Sequence, residues 1–225
     1  MTIAQVFASF ASRWAKPSPE IRECNAVIQH SKACVHWSEI EGWFQWRSGQ
    51  EEAVRSFPAG SCFVEVGNYL GRSLCSLGEV VAQSGKDFMI VGVDNCRGSG
   101  PEGPFGKDYH GAAVAQNGGT LAGALHRNVL NCGYGDMITL IVADSLVAAR
   151  IFSDASIDWV HLDARHDYSG LAADIQGWLP KIRPGGWLTG DDYDEVKWPE
   201  VVKVVSDLLP GARAWSTQQW RWLVS

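Results

Sequence analysis

Short apolar runs alternate with segments of helical periodicity from residue 61 to residue 209. Most of these runs are continuously apolar, which is typical of parallel strands that are buried on both faces of a sheet. Strand and helix repeated five times predict a doubly wound α/β domain with a mostly parallel sheet. The predicted strands are 62–66, 88–94, 137–144, 157–163 and 186–192, and the predicted helices are 72–83, 117–132, 145–153, 168–180 and 196–209.

Two further β-like runs end the sequence. They follow Pro210-Gly211 and cover residues 212–217 and 219–225, with almost nothing between them. So short a connection favours an antiparallel hairpin. Together with the five parallel strands, this hairpin predicts a Rossmann-like, seven-stranded sheet within a domain of residues 61–225.

Residues 1–60 lack this alternation and are rich in aromatic residues from 27 to 47. We interpret them as an N-terminal helical extension that contributes contacts to a substrate or to a homo-oligomer, not as a separate domain. Tryptophan is unusually frequent, with 11 in 225 residues, and Trp37, Trp43 and Trp46 cluster here. Packing in a core or an oligomer interface is favoured over stacking against a ligand.

Residues 95–117 hold five glycines and two prolines. A stretch of this length without secondary structure inside a compact domain is usually functional or mobile. It follows the second predicted strand, so it leaves the sheet at the edge where parallel sheets bind ligands. We interpret it as a structureless, mobile lid over the substrate. Its tip, residues 107–110, either touches the substrate or faces solvent.

Composition and charge narrow the class of partner. The formal net charge is -6 and the sequence pI is about 5.5, with no run of Lys or Arg that would indicate nucleic-acid binding. No apolar stretch has the length of a membrane span, and the N-terminus lacks a secretion signal. The six cysteines show no C-x-x-C pair, so we expect reduced thiols. A small-molecule partner and a cytoplasmic location follow as expectations.

A glycine-rich turn follows the first predicted strand and opens the first helix. Gly67 and Gly71 permit a sharp turn and the close approach of a ligand to main-chain N–H groups. The spacing lacks the G-x-G-x-x-G of NAD-binding proteins and the G-K-[ST] of P-loops, and this argues against both of these protein classes. A tight turn without a ligand remains open. The candidate cofactor-binding residues of this turn are Glu65, Gly67, Asn68, Tyr69, Gly71 and Ser73.

Two acidic strand ends are candidates for binding an adenosine. Asp94 ends the second predicted strand, where a carboxylate can accept hydrogen bonds from both ribose hydroxyls; a solvated strand-end Asp is the alternative. Asp144 and Ser145 end the third strand and can meet the adenine amino group. Either could equally cap the helix predicted over 145–153, and both roles can hold together.

Three carboxylates follow the fourth and fifth predicted strands. Asp163 ends one strand, and Asp191 and Asp192 end the other. Adjacent parallel strands lie about 4.8 Å apart, so these side chains can meet. Three close carboxylates repel unless a cation neutralises them, and oxygen-only ligation favours Mg²⁺, Mn²⁺ or Ca²⁺. The alternative is that one or two of them act as caps or are solvated.

Two histidines lie near these acids. His161 lies inside an apolar strand, which predicts a hydrogen-bonded core histidine. His166 lies just past the strand end, where an imidazole can act as a base near neutral pH. It could equally orient a neighbouring carboxylate.

Residues 64–73, 91–94, 157–195 and 198–205 together resemble the class I S-adenosylmethionine-dependent methyltransferases. The resemblance covers about residues 60–210 and is to the metal-dependent macrocin-type and related sugar or natural-product O-methyltransferases. Its most specific part is the series D-A-x-H-x-Y…D…W…L…P-G-G…G-D-D-Y. Where the family often has an acidic residue or glycine before the histidine, this chain has Arg165.

The resemblance implies a role for each group of site residues. Glu65, Gly67 and Gly71 would line the methionine side of S-adenosylmethionine. Asp94 would bind ribose, and Asp144 would bind the adenine end. Carboxylates matching Asp163, Asp191 and Asp192 would hold Mg²⁺ or Mn²⁺, with Asp163 also beside the cofactor.

The expected reaction is O-methylation of a hydroxyl on a small molecule, with Asp163 and His166 as the catalytic residues. His166 or an unligated carboxylate would remove the hydroxyl proton. Two alternatives stay open. One is a metal-independent or hydroxylase-like relative on the same scaffold, and the other is a non-catalytic small-molecule-binding protein.

Overall fold

The computed structural model describes residues 35–103 and 106–225. The part of the predicted N-terminal extension before residue 35 lies outside the described residues. From Val35 onward the chain forms one compact unit. A 3₁₀ turn, Trp37–Glu39, and helix α1, Arg47–Ser56, precede the sheet. Trp46 and Val54 are buried in the same core as the strands.

A seven-stranded sheet forms the centre of this unit. Its strands are β1 (Cys62–Val66), β2 (Met89–Asp94), β5 (Ile138–Val142), β6 (Ile157–Leu162), β7 (Ile182–Gly190), β8 (Arg213–Ala214) and β9 (Trp220–Leu223). They lie in the order β5-β2-β1-β6-β7-β9-β8. Neighbours among β1, β2, β5, β6 and β7 pair in parallel, whereas β9 pairs antiparallel with both β7 and β8. The predicted Rossmann-like fold with its C-terminal hairpin is therefore confirmed.

Helices cover both faces of the sheet because alternate residues of its central strands are apolar on each side. The helices after α1 are α2 (Arg72–Ser84), α3 (Gly111–Gln116), α4 (Ala122–Asn131), α5 (Ser145–Ala149), α6 (Tyr168–Trp178) and α7 (Pro199–Leu208), with a 3₁₀ turn at Leu179–Lys181. Phe63 of β1 belongs to one buried cluster with residues of α1, α2 and α4, and its neighbour Val64 belongs to a second cluster with residues of α5, α6 and α7.

The structure corrects the interpretation of residues 95–117 as structureless. A short antiparallel hairpin pairs β3 (Pro101–Glu102) with β4 (Lys107–Asp108), and α3 follows it. Pro104 and Phe105, at the hairpin turn, lie outside the described residues. The mobility of this segment stays a prediction.

Several predicted boundaries were also wrong by a few residues. The helix predicted over 117–132 begins only at Ala122, because Gly118 and Gly119 adopt φ values of 73° and 93° that a right-handed helix does not accommodate. The helix predicted over 145–153 ends at Ala149. None of the described helices has the length and apolar character that crossing a membrane requires.

The loops after β1 and β6 touch at the carboxyl edge of the sheet. The backbone N–H of Asp163 donates to the Val66 carbonyl at 2.8 Å, and the N–H of Gly67 donates to the Val93 carbonyl at 2.8 Å. Gly67 has a φ of 89°, and a Cβ atom there would overlap the backbone carbonyl oxygen of Asp163. The close approach of these loops therefore requires glycine at this position.

We expect Gly67→Ala to lower the free energy of unfolding by about 2–5 kcal/mol, because it adds a left-handed alanine and a backbone collision. Gly60→Ala is the matched control, since Gly60 has a φ of 86° and open space around its Cβ position. It should lose only about 1–2 kcal/mol. Urea unfolding measures both values. Equal losses would show that the contact with Asp163 does not constrain the fold.

Candidate active site

A cavity of about 490 Å³ lies at the carboxyl edge of the parallel strands. Its volume is in the range of small-molecule sites. The loops after β1, β2, β5, β6 and β7 contribute to its wall, as do residues 43–45 and 217–219. The predicted site residues that line it are Gly67, Asn68, Tyr69, Ser73, Asp94, Asp144, Ser145, Asp163, His166, Asp191 and Asp192.

Glu65 lies behind the cavity wall instead of in it. It is 2% exposed, and its Oε1 accepts hydrogen bonds from Ser73 Oγ at 2.5 Å and Asn68 Nδ2 at 3.1 Å. Burial raises the pKa of Glu65 to about 7. Gly71 is also buried, with a φ of 89°, and ends the turn as the residue preceding α2. In this structure both residues support the glycine-rich turn and are not part of the cavity wall.

Asp94 ties the first two loops of the site together. One carboxylate oxygen accepts hydrogen bonds from the backbone N–H groups of Asn68 at 2.6 Å and Tyr69 at 2.9 Å. The other oxygen accepts from the N–H of Cys96 at 2.6 Å. The carboxylate is thus held at the cavity wall by three main-chain donors. Its role in binding ribose stays a prediction.

Asp144 caps the N-terminus of α5, which is one of the two roles that the sequence predicted for it. Its Oδ1 accepts hydrogen bonds from the N–H groups of Leu146 at 3.0 Å and Val147 at 3.3 Å. Ser145 Oγ donates to Asp174 Oδ1 at 2.5 Å and accepts from Trp178 Nε1 at 2.8 Å. Both residues also line the cavity, so the adenine role stays a prediction beside the cap.

Asp163, His166 and Asp192 come together at the centre of the site. Each offers one ligand atom, and these atoms lie within 4.8 Å of one another. His166 Nε2 is 2.7 Å from Asp192 Oδ2 and 3.7 Å from Asp163 Oδ1. Asp192 has a φ of 58°, a left-handed conformation that Asp tolerates better than most residues. We call these three residues the acid–histidine cluster.

Asp191, the remaining member of the predicted metal triad, lies next to this cluster but makes hydrogen bonds with other groups. Its Oδ1 accepts hydrogen bonds from Gln219 Nε2 and from the backbone N–H of Asp192, both at 2.7 Å. The grouped ligand atoms are therefore those of two carboxylates and an imidazole. Asp191 as a metal ligand stays a prediction.

The carboxylates of the cluster concentrate negative charge at partly buried positions. Burial, and then repulsion from Asp191 and Asp192, raises the pKa of Asp163 well above its ordinary value. Burial and repulsion from Asp192 raise the pKa of Asp191 to about 6. Burial alone would lower the pKa of His166, but its contacts with Asp163, Asp192 and Glu102 raise it well above the ordinary value. The cluster thus favours a bound proton or another cation.

Glu102, on β3, is a site residue that the sequence reasoning missed. Its side chain is 5% exposed; Oε2 lies 3.1 Å from His166 Nδ1 and accepts a hydrogen bond from Ser99 Oγ at 2.7 Å. Burial opposes its ionisation, but the hydrogen bonds from His166 and Ser99 lower the pKa of Glu102 below its ordinary value. The imidazole of His166 is therefore held between Glu102 on one nitrogen and the two aspartates on the other.

Aromatic rings surround the upper part of the cavity. The ring centroid of Trp43 lies 5.6 Å from that of Tyr69 and 6.0 Å from that of Tyr109. The Trp198 ring lies 6.3 Å from Tyr109 and 4.4 Å from His166. All five residues line the cavity, and Trp43 is 63% exposed. The sequence showed the frequency of tryptophan but not this convergence.

His161 is a core histidine, as predicted. It is buried, its Nδ1 lies 2.9 Å from Thr189 Oγ1, and its ring stacks on Trp46 with centroids 3.8 Å apart. Burial lowers the pKa of His161 to about 3, so its ring is neutral at physiological pH.

Two curated proteins are similar to this chain in sequence. The uncharacterized protein y4gI of Sinorhizobium fredii is 26% identical over 121 residues, which are 54% of this chain and 12% of y4gI. The uncharacterized protein R132 of Acanthamoeba polyphaga mimivirus is 25% identical over 154 residues, which are 66% of this chain and 61% of R132. The chain thus spans less than two thirds of either relative.

Among solved structures, the fold is similar to that of the O-methyltransferase NovP, with a TM-score of 0.55 and 16% sequence identity. The similarity covers 80% of this chain and 79% of NovP. At this identity it shows the shared fold. The family described as the methyltransferase domain matches residues 64–193, which hold the glycine-rich turn, Asp94 and the acid–histidine cluster. This chain therefore belongs to the methyltransferase domain family.

Proposed function

We propose that this protein transfers the methyl group of S-adenosylmethionine to a hydroxyl oxygen of a small molecule, with the assistance of a divalent cation. The observation that carries the proposal is that one cavity contains both the glycine-rich turn and the acid–histidine cluster. The turn is a place for the methyl donor, and the cluster is a place to bind and deprotonate a hydroxyl.

The cavity offers an S-adenosylmethionine molecule suitable groups along its length. Asp144 and Asp94 line it beside β5 and β2, where we place the adenine and the ribose. Gly67, Asn68 and Tyr69 line it after β1, where we place the methionine part. This arrangement lays the donor across the carboxyl ends of the strands, as other doubly wound sheets place their nucleotides.

The donor set of the acid–histidine cluster fits a divalent cation. Asp163 and Asp192 supply two carboxylates, and the rise in the pKa of Asp163 reflects burial and negative charge that a cation would balance. Carboxylate oxygen donors of this kind suit Mg²⁺ or Mn²⁺. We place the cation between Asp163 and Asp192, and we keep Asp191 as the predicted further ligand.

The side chains of this chain then bind, orient and deprotonate the acceptor. A bound donor would supply an activated methyl group on its sulfonium, and a bound cation would lower the pKa of the acceptor hydroxyl. Asp163 and Asp192 would hold the cation and keep the reacting hydroxyl at the cluster, next to the donor. A cation at Asp163 and Asp192 would offset the negative charge that raises the pKa of His166. His166 Nε2, which faces these two carboxylates, is then the group that accepts the hydroxyl proton. Glu102 at Nδ1 holds the ring in position and stabilises the imidazolium that results.

The acceptor enters between the aromatic rings of Trp43, Tyr109 and Trp198. Such rings stack on flat or CH-rich faces, which sugars and cyclic natural products both present. The same rings exclude water from the reacting atoms. We therefore propose a hydroxylated sugar or natural product as the acceptor, in agreement with the family resemblance in the sequence.

A metal-independent methyltransferase is the second candidate. The observation that favours it is the position of His166 between Glu102 and Asp192. A protonated imidazole there would itself balance part of the negative charge. In that case a carboxylate of the cluster, instead of His166, would accept the hydroxyl proton.

The proposed function predicts methyl transfer from labelled S-adenosylmethionine to members of a panel of hydroxylated sugars, phenols and macrolides. We expect a chelator to abolish transfer and leave donor binding nearly unchanged, and added Mg²⁺ or Mn²⁺ to restore it. Asp192→Asn should lower turnover at least about 100-fold, because it removes one ligand charge. Asp207→Asn, at an exposed acid of α7 paired with Lys203, should leave turnover unchanged. Full activity in chelator would favour the second candidate.

Glu102→Gln should lower turnover about 10- to 100-fold, since it keeps the size of the side chain but removes the charge that stabilises the His166 imidazolium. The affinity for S-adenosylhomocysteine should stay unchanged, because Glu102 lies on the acceptor side. Steady-state kinetics and calorimetry measure the two effects. Glu195→Gln, at an exposed acid outside the cavity wall, serves as the control. A parallel loss of ligand affinity would indicate a role in the fold of the cavity instead.

The segment that carries Glu102 is still predicted to be a lid. We expect amide hydrogen exchange of residues 98–103 and 106–112 to slow when donor and acceptor analogue bind, because ordering a glycine-rich segment requires contacts with the ligand. The measurement compares free and bound protein. Strong protection in the free protein, unchanged on binding, would identify a permanently ordered segment and remove the gating role.

A further inference from the structure

Arg72 lines the cavity and has no part in the chemistry described above. It is the first residue of α2, directly after the glycine-rich turn. Its Nη1 donates to the Gly42 carbonyl at 2.9 Å, which holds the guanidinium against residues that precede α1. Its Nε is buried and has no hydrogen-bond partner among the residues that the structure describes.

The other cations of the cavity wall differ from Arg72. Arg165 is half exposed and paired with Asp167, with Nη2 and Nε at 2.7 Å and 2.9 Å from Oδ2. Lys197 is 65% exposed and 3.8 Å from Asp194. Within the described part of the chain, no carboxylate pairs with Arg72. A guanidinium stays charged, so one that lines a cavity without a carboxylate partner is suited to an anion from outside the chain.

The position of Arg72 on its helix also favours binding of an anion. The N-terminal end of a helix carries partial positive charge, and a cation there is unfavourable unless an anion is also present. Gly71, at the N-cap of α2, provides no side chain to accept from the first N–H groups. The free end of the helix and the guanidinium of Arg72 therefore attract the same kind of group, at the same end of the cavity.

The order of the strands indicates which anion this is. β1 lies between β2 and β6, so a donor with its adenosine beside Asp94 and Asp144 extends past β1. Its amino-acid end then meets Asn68, Tyr69 and Arg72 of the same wall. The α-carboxylate is the single anionic group of S-adenosylmethionine. We propose that Arg72 binds this carboxylate through its guanidinium and so sets the position of the methyl group along the cavity.

This inference rests on the proposed function, and binding measurements without an acceptor test it. The ligands are S-adenosylmethionine and decarboxylated S-adenosylmethionine, which lacks only the carboxylate. Wild-type protein should bind the decarboxylated ligand about 10- to 100-fold more weakly, the range for one charge-assisted hydrogen-bonded contact. Arg72→Gln should weaken the binding of S-adenosylmethionine by a similar factor. It should change the affinity for the decarboxylated ligand by less than about threefold. The two losses should not add, because they remove the same contact.

Arg165→Gln is the matched control, because it removes a cation of the same cavity wall that already has its partner. It should preserve the preference of the protein for the carboxylate. Binding of the decarboxylated ligand by Arg72→Gln also shows that this variant is folded. An equal loss for both ligands would assign Arg72 to the fold of the turn, and an unchanged preference in Arg72→Gln would place the carboxylate elsewhere; either result overturns the inference alone. Wild-type protein that binds neither ligand would overturn the proposed function, and this inference with it.

Discussion

The contact between the loops after β1 and β6 determines the shape of the site. Gly67 lies against the backbone of Asp163, and a hydrogen bond from Asp163 to Val66 holds the two strand ends in register. Because no side chain separates the loops, the glycine-rich turn and the first carboxylate of the cluster border the same cavity. The proposed donor and acceptor sites are therefore adjacent, as direct transfer between two bound molecules requires.

Electrostatics gives the two ends of this cavity different characters. The end beside β6 and β7 collects Asp163 and Asp192 at one imidazole, with Asp191 next to them. Burial and the neighbouring carboxylates raise the pKa of both Asp163 and Asp191, so a positive charge is favoured there. The end beside α2 instead presents Arg72 and the uncapped start of a helix. This division is complementary to the proposed ligands, since the α-carboxylate of the donor would meet Arg72 and a cation on the acceptor hydroxyl would meet the carboxylates.

Segments that are distant in sequence complete the wall. Trp43 precedes α1, Glu102 lies on the hairpin after β2, Trp198 precedes α7 and Gln219 precedes β9. Glu102 and Trp198 contact His166, and Gln219 contacts Asp191. Trp43 contacts Tyr69 among the aromatic side chains of the cavity. The sheet thus fixes the positions where the loops begin and end, and in the proposed function the loops supply the groups that select the acceptor.

The sequence by itself determined the fold and the edge of the sheet where the site lies. Continuous apolar runs alternating with helical periods specify a parallel sheet, and the carboxyl ends of parallel strands share one edge, so Gly67, Asp94, Asp163 and Asp192 could be placed together. Only the tertiary structure decided which atoms meet. Glu102 and His166 are 64 residues apart, and Asp191 is turned by a hydrogen bond from Gln219. Such contacts depend on side-chain rotamers and on how remote loops close, and local periodicity carries no information about either.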